Sequence, residues 1–277
     1  LSAALVCVAV AVFCIVGYEA IAGWLTGLFG PPQVELQEAY SNDKAGPKVD
    51  HSTLDELLQT YVDEAGWVDY AGLRSREEQL DAYLQVVAKA PFADLARDDK
   101  LALLINAYNA FTLKLILENH PLESIQQIPE ADRWDAVRWN VGGQVWSLNQ
   151  IEHEQIRPRF VEPRIHFALV CAAVGCPPLR QEAFTPERLS QQLDSQAEYV
   201  HSHATWFAWK PEANTVELTK LYQWYSDDFD QAAGSVIRFA SRYSPPLATA
   251  LETDAPLRKK WLPYDWSLNS REHQRPR

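Results

Sequence analysis

Positive charge is in short supply, with 25 Lys and Arg against 37 Asp and Glu and a formal net charge of -12 over 277 residues. Affinity for a phosphate backbone rests on Lys and Arg, so nucleic acid is not an expected partner. Cysteine is scarce too, at four residues, which excludes a disulfide-dense scaffold. Eleven Gly and seventeen Pro without any repeat exclude a collagen-like chain. There is no low-complexity block, no glycine-rich phosphate loop, no Gly-x-Ser-x-Gly elbow and no paired metal motif. The sequence therefore names no cofactor and no substrate. What it does contain is apolar material: 47% of residues are hydrophobic, with ten Trp and eleven Tyr. That is ample for a packed core, whose burial must supply most of the stability.

Residues 1 to 18, LSAALVCVAVAVFCIVGY, carry no charge, and apolar character resumes after Glu19 as far as Gly30. A bilayer core takes about 20 such residues, so residues 1–30 are expected to form a hydrophobic helix, either a transmembrane anchor or an uncleaved signal. Ala20-Ile21-Ala22 offers a small-x-small cleavage site. Glu19, Glu35 and Glu38 lie closer to the run than Lys44 and Lys48, which favours export of the chain beyond it. Residues 31–50 mix Pro, Gly and charge without a period and read as a linker. Residues 51–269 form the expected globular domain, and the polar residues 270–277 are expected to be a disordered tail.

Leu54, Leu57, Leu58 and Tyr61 fall at helical spacing in a segment from Ser52 to Ala65. Residues 98 to 119 are apolar almost all round, open on Asp98 and Asp99 and stop at His120-Pro121, so a central buried helix is predicted there. Gly142-Gly143 between residues 138–141 and 144–148 predicts a hairpin, and residues 211–214 join a second one. RIHFALVC, from Arg164 to Cys171, reads as a short buried strand. Hairpins among helices indicate an α+β fold: one domain with a mainly antiparallel sheet and flanking helices around the central helix.

Within that helix Asn106, Tyr108 and Asn109 interrupt an apolar surface. A buried unpaired amide costs about 1 to 3 kcal/mol, so these side chains must tie loops to the helix or face a site. Ser147 with Gln150 matches a capping box, which puts Glu152 and His153 in the first turns of a short helix. His153-Glu154-Gln155-Ile156-Arg157 begins like a zincin motif, but Arg157 stands where a second His is required. Cys176 follows Gly175 and precedes Pro177-Pro178, and a nearby Arg180 would lower its pKa. With His153 or His166 close by it would form a Cys-His nucleophile.

The fragments INAYNAFTLKLIL, SLNQIEHEQIR, RIHFALVCAAVGCPPLR, LYQWYSDDF and YDWSLN, in this order, resemble the family known as domain of unknown function 547, as does GWVDYAGL from Gly66. The matching polar positions are Asn106, Asn109, Asn149, Glu152, His153, His166, Cys171, Cys176 and Arg180. His201 and His203 lie outside these motifs. The family occurs in bacteria and plants, and the resemblance brings no agreed activity. Together with the hydrophobic segment at residues 1–30 it leads to the expectation of a bacterial, membrane-anchored protein with its domain on the periplasmic side, or a secreted or periplasmic one if cleaved after Ala22. Three functions are open. The first is a thiol-dependent hydrolase or transferase with Cys176 as nucleophile, His153 or His166 as base, and Asn106, Asn109 and Glu152 in support. The second is a non-catalytic module for a peptide or glycan, with tryptophans lining a groove. The third is a metal-binding or redox site at Cys171 and Cys176. An anionic ligand would need a basic patch, for which Arg157, Arg159, Arg164 and Arg180 are available.

Overall fold

The computed structural model describes residues 31–253 and 256–274. The hydrophobic segment expected at residues 1–30 lies outside these. From Val34 onward the chain forms one compact unit, a mixture of helices and two small sheets in keeping with an α+β fold.

Its axis is the helix Arg97–Asn119, buried on nearly every side from Asp99 to Leu117. Among the described residues it is the one helix long and apolar enough to cross a bilayer, and 89% of its apolar window is buried inside the protein. Asp98 and Asp99 occupy its first turn, where carboxylates suit the positive end of the helix dipole. The helices Ser52–Tyr61 and Glu77–Ala88 turn their leucines and Tyr83 inward and join the same core. A second core gathers around Phe167, Trp206, Tyr222, Phe229 and Phe239. It is carried by the helices Leu189–Ser202, Lys220–Trp224, Ser226–Ala233 and Val236–Ser241.

Both expected hairpins are present. Strands β1 (Trp139–Val141) and β2 (Gln144–Trp146) pair antiparallel, with Trp139 opposite Trp146. Gly142 and Gly143 between them both have positive φ, 59° and 82°, the conformation a two-residue turn of this kind requires. Strands β3 (Phe207–Lys210) and β4 (Thr215–Leu218) are also antiparallel, and β5 (Arg258–Trp261) adds to β4 in parallel. Among the described residues the sheet content is thus one two-stranded ribbon and one mixed three-stranded sheet rather than a single, mainly antiparallel sheet.

The run from Arg164 to Cys171 is not a strand. Pro163–Phe167 is a 3-10 helix that Pro163 starts and the Glu162 carboxylate caps. Beyond it the Asn109 side chain donates to the Ala168 carbonyl (2.9 Å) and accepts from the Val170 N–H (2.9 Å). One amide from the central helix takes the backbone groups that a neighbouring strand would have taken, so alternation of apolar residues is a misleading signal here.

Two further segments differ from expectation. Residues 34–50 have no helix or strand but lie against the domain: Lys100, 2% exposed, donates to Asp43 (2.8 Å), the Ala39 N–H donates to the Arg159 carbonyl (3.0 Å), and Tyr40 packs on Phe160. At the other end Ser270 to Gln274 is not a loose tail. Arg271 N–H donates to the Val68 carbonyl (2.9 Å) and Arg271–His273 forms a 3-10 turn capped by Ser270. Residues 275–277 lie outside the described part.

Candidate functional site

The polar side chains singled out in the sequence separate into three groups. Asn106 and Asn109 are clamps. Asn106 donates to the Phe184 carbonyl (2.8 Å) and accepts from the Phe184 N–H (2.9 Å), just as Asn109 holds residues 168–170. With both ends of each amide engaged, they position loops and leave little capacity for a substrate. Asn149 donates to Asp135 (2.7 Å) near the surface. Arg180 pairs with Glu182 and donates to Ser195 (2.8 Å), so its charge is spent on these partners and not on a thiol. Arg157 and Arg164 are likewise paired, with Asp228 and with Glu162 and Asp194, and Arg159 donates to a backbone carbonyl. The four arginines do not make a shared basic patch.

The second group is a buried ionic cluster at the seam of the two cores. Ser147 and Gln150 form the expected capping box, reciprocal at 3.1 and 3.0 Å. The turn they start, Leu148–Gln150, continues as a π-helix over Ile151–Ile156, a distortion often found at functional sites. It carries Glu152 and His153, and Arg157 follows at its end. The second core contributes Asp228 from Ser226–Ala233 and His166 from beside Phe167. Asp228 accepts from Arg157 Nε (2.7 Å), Arg157 Nη2 (2.8 Å) and His166 Nε2 (2.8 Å). Arg157 Nη1 donates to His153 Nδ1 (3.1 Å), so the zincin-like spacing brings a guanidinium, not a second imidazole, to His153. The Tyr225 hydroxyl donates to Glu152, and its ring stacks on His166 at 3.8 Å.

These contacts set the protonation states. Burial pushes Asp228 up, but the hydrogen bonds and charges of Arg157 and His166 outweigh it and hold the carboxyl at about 2. Burial also favours a protonated Glu152, which the neighbouring imidazoles, Tyr225 and Arg157 reverse. Burial depresses both His153 and His166, so both rings are neutral at pH 7. His166 then carries its proton on Nε2, towards Asp228, and its buried Nδ1 is an acceptor with no partner among the described residues. An acid–base group oriented by a carboxylate, with one nitrogen unused, is a recognisable catalytic arrangement. No group of three His, Cys, Asp or Glu among the described residues is placed to hold a metal ion, and the Arg157 guanidinium fills the place a cation would take beside Asp228.

The third group is the sulfur pair. Cys171 and Cys176 form a disulfide with Cα atoms 6.4 Å apart, within the usual range for such a bond. The intervening loop is held along the C-terminal segment: Asn269 N–H donates to Ala172 O (3.0 Å), Val174 N–H to Ser267 O (2.8 Å) and Gly175 N–H to Asp265 O (2.8 Å). Ala172 takes a left-handed φ of 59°, uncommon for a residue with a Cβ. Trp206 Nε1 donates to the Gly175 carbonyl (2.9 Å). The segment delivers the Tyr264 hydroxyl to 3.0 Å from Cys176 Sγ and 3.1 Å from Cys171 Sγ. Cys176 is 2% exposed, whereas Cys171 keeps part of its surface in contact with solvent. Among the described residues no hydrogen bond joins either sulfur to His153 or His166.

Sequence reasoning misses Tyr225, Asp228 and Tyr264 as site residues and takes Arg157 only as a failed ligand and a possible part of a basic patch. Tyr225, Asp228 and Tyr264 each sit in one of the family-like fragments, so the signal is present without a role attached to it. A separate cavity of about 500 Å³, lined by Glu162, Arg164, Asp194, Arg242 and Tyr243 among others, contains none of the nine family-like polar positions.

Residues 92–200 match the model of a family described as "Protein of unknown function, DUF547". The resemblance read from the sequence is thus supported over that stretch, which includes both asparagine clamps, the π-helix and both cysteines. Tyr225, Asp228 and Tyr264 lie beyond it. No curated protein and no solved structure matches the chain.

Proposed function

We propose that the chain is a thiol-dependent redox protein whose Cys171–Cys176 pair exchanges disulfide for dithiol with a substrate thiol. The observation that carries this reading is the single Tyr264 hydroxyl within 3.1 Å of both sulfurs, in a pair of which Cys171 is a half-buried residue. A purely structural staple explains the arrangement less well. Closing a loop of five residues is worth only about 2 kcal/mol in the chain-entropy account, and three backbone hydrogen bonds already tie this loop to residues 265–269. A hydrolase or transferase with Cys176 as nucleophile ranks behind, because each imidazole is engaged with the Arg157 and Asp228 network and neither is bonded to a sulfur. A non-catalytic binding module would leave the buried ionic cluster and the shared hydroxyl without a use. The reading is compatible with the membrane segment expected at residues 1–30 and a periplasmic domain, a compartment in which such a pair is held oxidised.

The test is a redox titration. The purified chain is equilibrated in buffers of graded reduced-to-oxidised glutathione ratio, quenched in acid, alkylated and weighed intact, with peptide mapping to keep Cys7 and Cys14 apart. Two thiols at positions 171 and 176 are expected to appear together and reversibly while tryptophan fluorescence stays native. A pair that opens only as the fold is lost would identify a staple and overturn the proposal.

A further inference from the structure

The redox reading leaves open which sulfur is attacked and what assists. Resting on that reading, we infer that a substrate thiolate attacks Cys171, that Cys176 is the sulfur released, and that Tyr264 is a catalytic residue that hydrogen-bonds the released thiolate. Access favours the first part: Cys171 is a half-buried residue, whereas Cys176 is buried as a whole, with two prolines directly after it. Stabilisation decides the second. The Cys171 N–H points at Cys176 Sγ (3.1 Å), and Tyr264 reaches it at 3.0 Å, so a negative charge on Cys176 meets two donors already in place. Tyr264 and the Ala173 backbone act on both sulfurs, so the Cys171 N–H is the donor that tells them apart.

Burial raises the Cys176 thiol, but the Cys171 thiol, Tyr264 and the backbone donors together bring it below the ordinary range. Cys171 is held above it, first by its hydrogen bond with the Cys176 thiol and then by burial. A thiol of low pKa is the better leaving group in exchange. Tyr264 is kept protonated by burial and by the two sulfurs, so it remains a donor throughout. The other ionisable groups acting on the sulfurs are Tyr70, Tyr108 and Tyr225, all held neutral by burial, and Arg133 beside Cys171.

The placement of Tyr264 is built in. A Cβ on Gly175 would come within 2.9 Å of the Tyr264 ring and 2.8 Å of the Asp265 nitrogen, so this close approach needs glycine. Trp266 and Trp224 pack against the ring at 4.7 and 4.8 Å.

Atoms and electrons balance in two steps. A substrate thiolate RS⁻ forms an RS–S bond with Cys171 as the Cys171–Cys176 bond breaks and its electron pair leaves on Cys176. A second thiolate attacks the substrate sulfur of this mixed disulfide, RS–SR departs, and Cys171 leaves as a thiolate that takes up a proton from solvent. Two thiols are oxidised and the protein disulfide is reduced by two electrons. The required ligand chemistry is a thiolate, which a small thiol or a cysteine on a polypeptide can supply.

The experiment uses the full oxidised chain with two probes, glutathione and a cysteine-containing peptide, quenched in acid within the first turnover and mapped by mass. Mixed disulfide is expected on Cys171, with Cys176 left as the free thiol. The faster probe tells a small thiol from a polypeptide thiol. In the reduced protein, Tyr264→Phe should raise the pH midpoint of Cys176 alkylation by about one to two pH units, the value of one hydrogen bond to a charged group. It should also slow reduction of the disulfide, with native fluorescence retained. Adducts on Cys176, or an unmoved midpoint in a folded Tyr264→Phe protein, would overturn the inference while leaving exchange itself intact. A wild-type pair that resists reduction in the folded state would instead sink the underlying reading. Should Tyr264→Phe fail to fold, the position of the adduct in the wild-type chain still decides which sulfur is attacked.

Discussion

Asp228→Asn should be among the most damaging single substitutions in this protein. The wild-type carboxylate is 1% exposed and accepts three hydrogen bonds, two of them from the similarly buried Arg157. An amide keeps the size but presents one acceptor oxygen, turns a donor group towards Arg157 or His166, and removes the negative charge that neutralises the guanidinium. Breaking a buried ion pair from one side costs about 3 to 5 kcal/mol, a large share of the roughly 5 to 15 kcal/mol typical of a whole domain. Urea unfolding followed by the fluorescence of the ten tryptophans would read this as a fall in midpoint of about 1 to 5 M, taking a slope of about 1 to 3 kcal/mol/M. Replacing both partners, Asp228→Leu with Arg157→Met, should recover much of the loss, because no isolated charge is left behind. A loss below about 1 kcal/mol for Asp228→Asn, or a double variant less stable than the single one, would show that the cluster is not the buried ionic unit described.

Two further outcomes are expected. Burial holds His51 and His201 at about 4, against 6.5 for a free histidine. Their neutral forms stabilise the fold fully above pH 6.5, and this contribution drains away between pH 6.5 and 4, by up to about 3 kcal/mol each. His153 and His166 act in the same direction, whereas the Asp228 contribution is kept until the pH falls below the ordinary aspartate value of 3.8. Thermal melts should therefore drop steeply between pH 6.5 and 4, and a flat profile over that window would refute the assignment of neutral buried imidazoles. Asn109→Ala removes a donor and an acceptor from a buried backbone pair and should cost about 2 to 4 kcal/mol, two unsatisfied groups at about 1 to 2 each. The thiol count at positions 171 and 176 should not change, and if redox behaviour failed while stability held, the clamp assignment would be wrong.

The features legible in the sequence are those whose partners are close along the chain. Ser147 and Gln150 cap each other across three residues, and Gly142-Gly143 makes its own turn, so pattern alone finds both. The central helix is legible because its apolar surface runs all round. The segment from Arg164 to Cys171 passes for a strand because its backbone partner is Asn109, some sixty positions earlier, and nothing in the local alternation of apolar residues reports a side chain from another element. Asp228 and Tyr264 are visible only as letters within the fragments LYQWYSDDF and YDWSLN. Their roles depend on partners 62 to 93 residues away, a distance over which single-sequence pattern carries no information.

The lateness of Tyr264 in the chain has a consequence for biosynthesis. The residue follows Cys176 by 88 positions, and at about 5 to 20 residues per second of synthesis the two sulfurs precede their hydroxyl by about 4 to 18 s. Through that interval residues 265–269 have not yet been made, so the loop that holds the cysteines has no strand-like neighbour to order it. The sulfurs can meet and bond on the growing chain, but the donor that would tune them arrives only with the closing segment. Formation of the bond and acquisition of its reactivity are thus separate events, and the second waits until the domain is nearly complete.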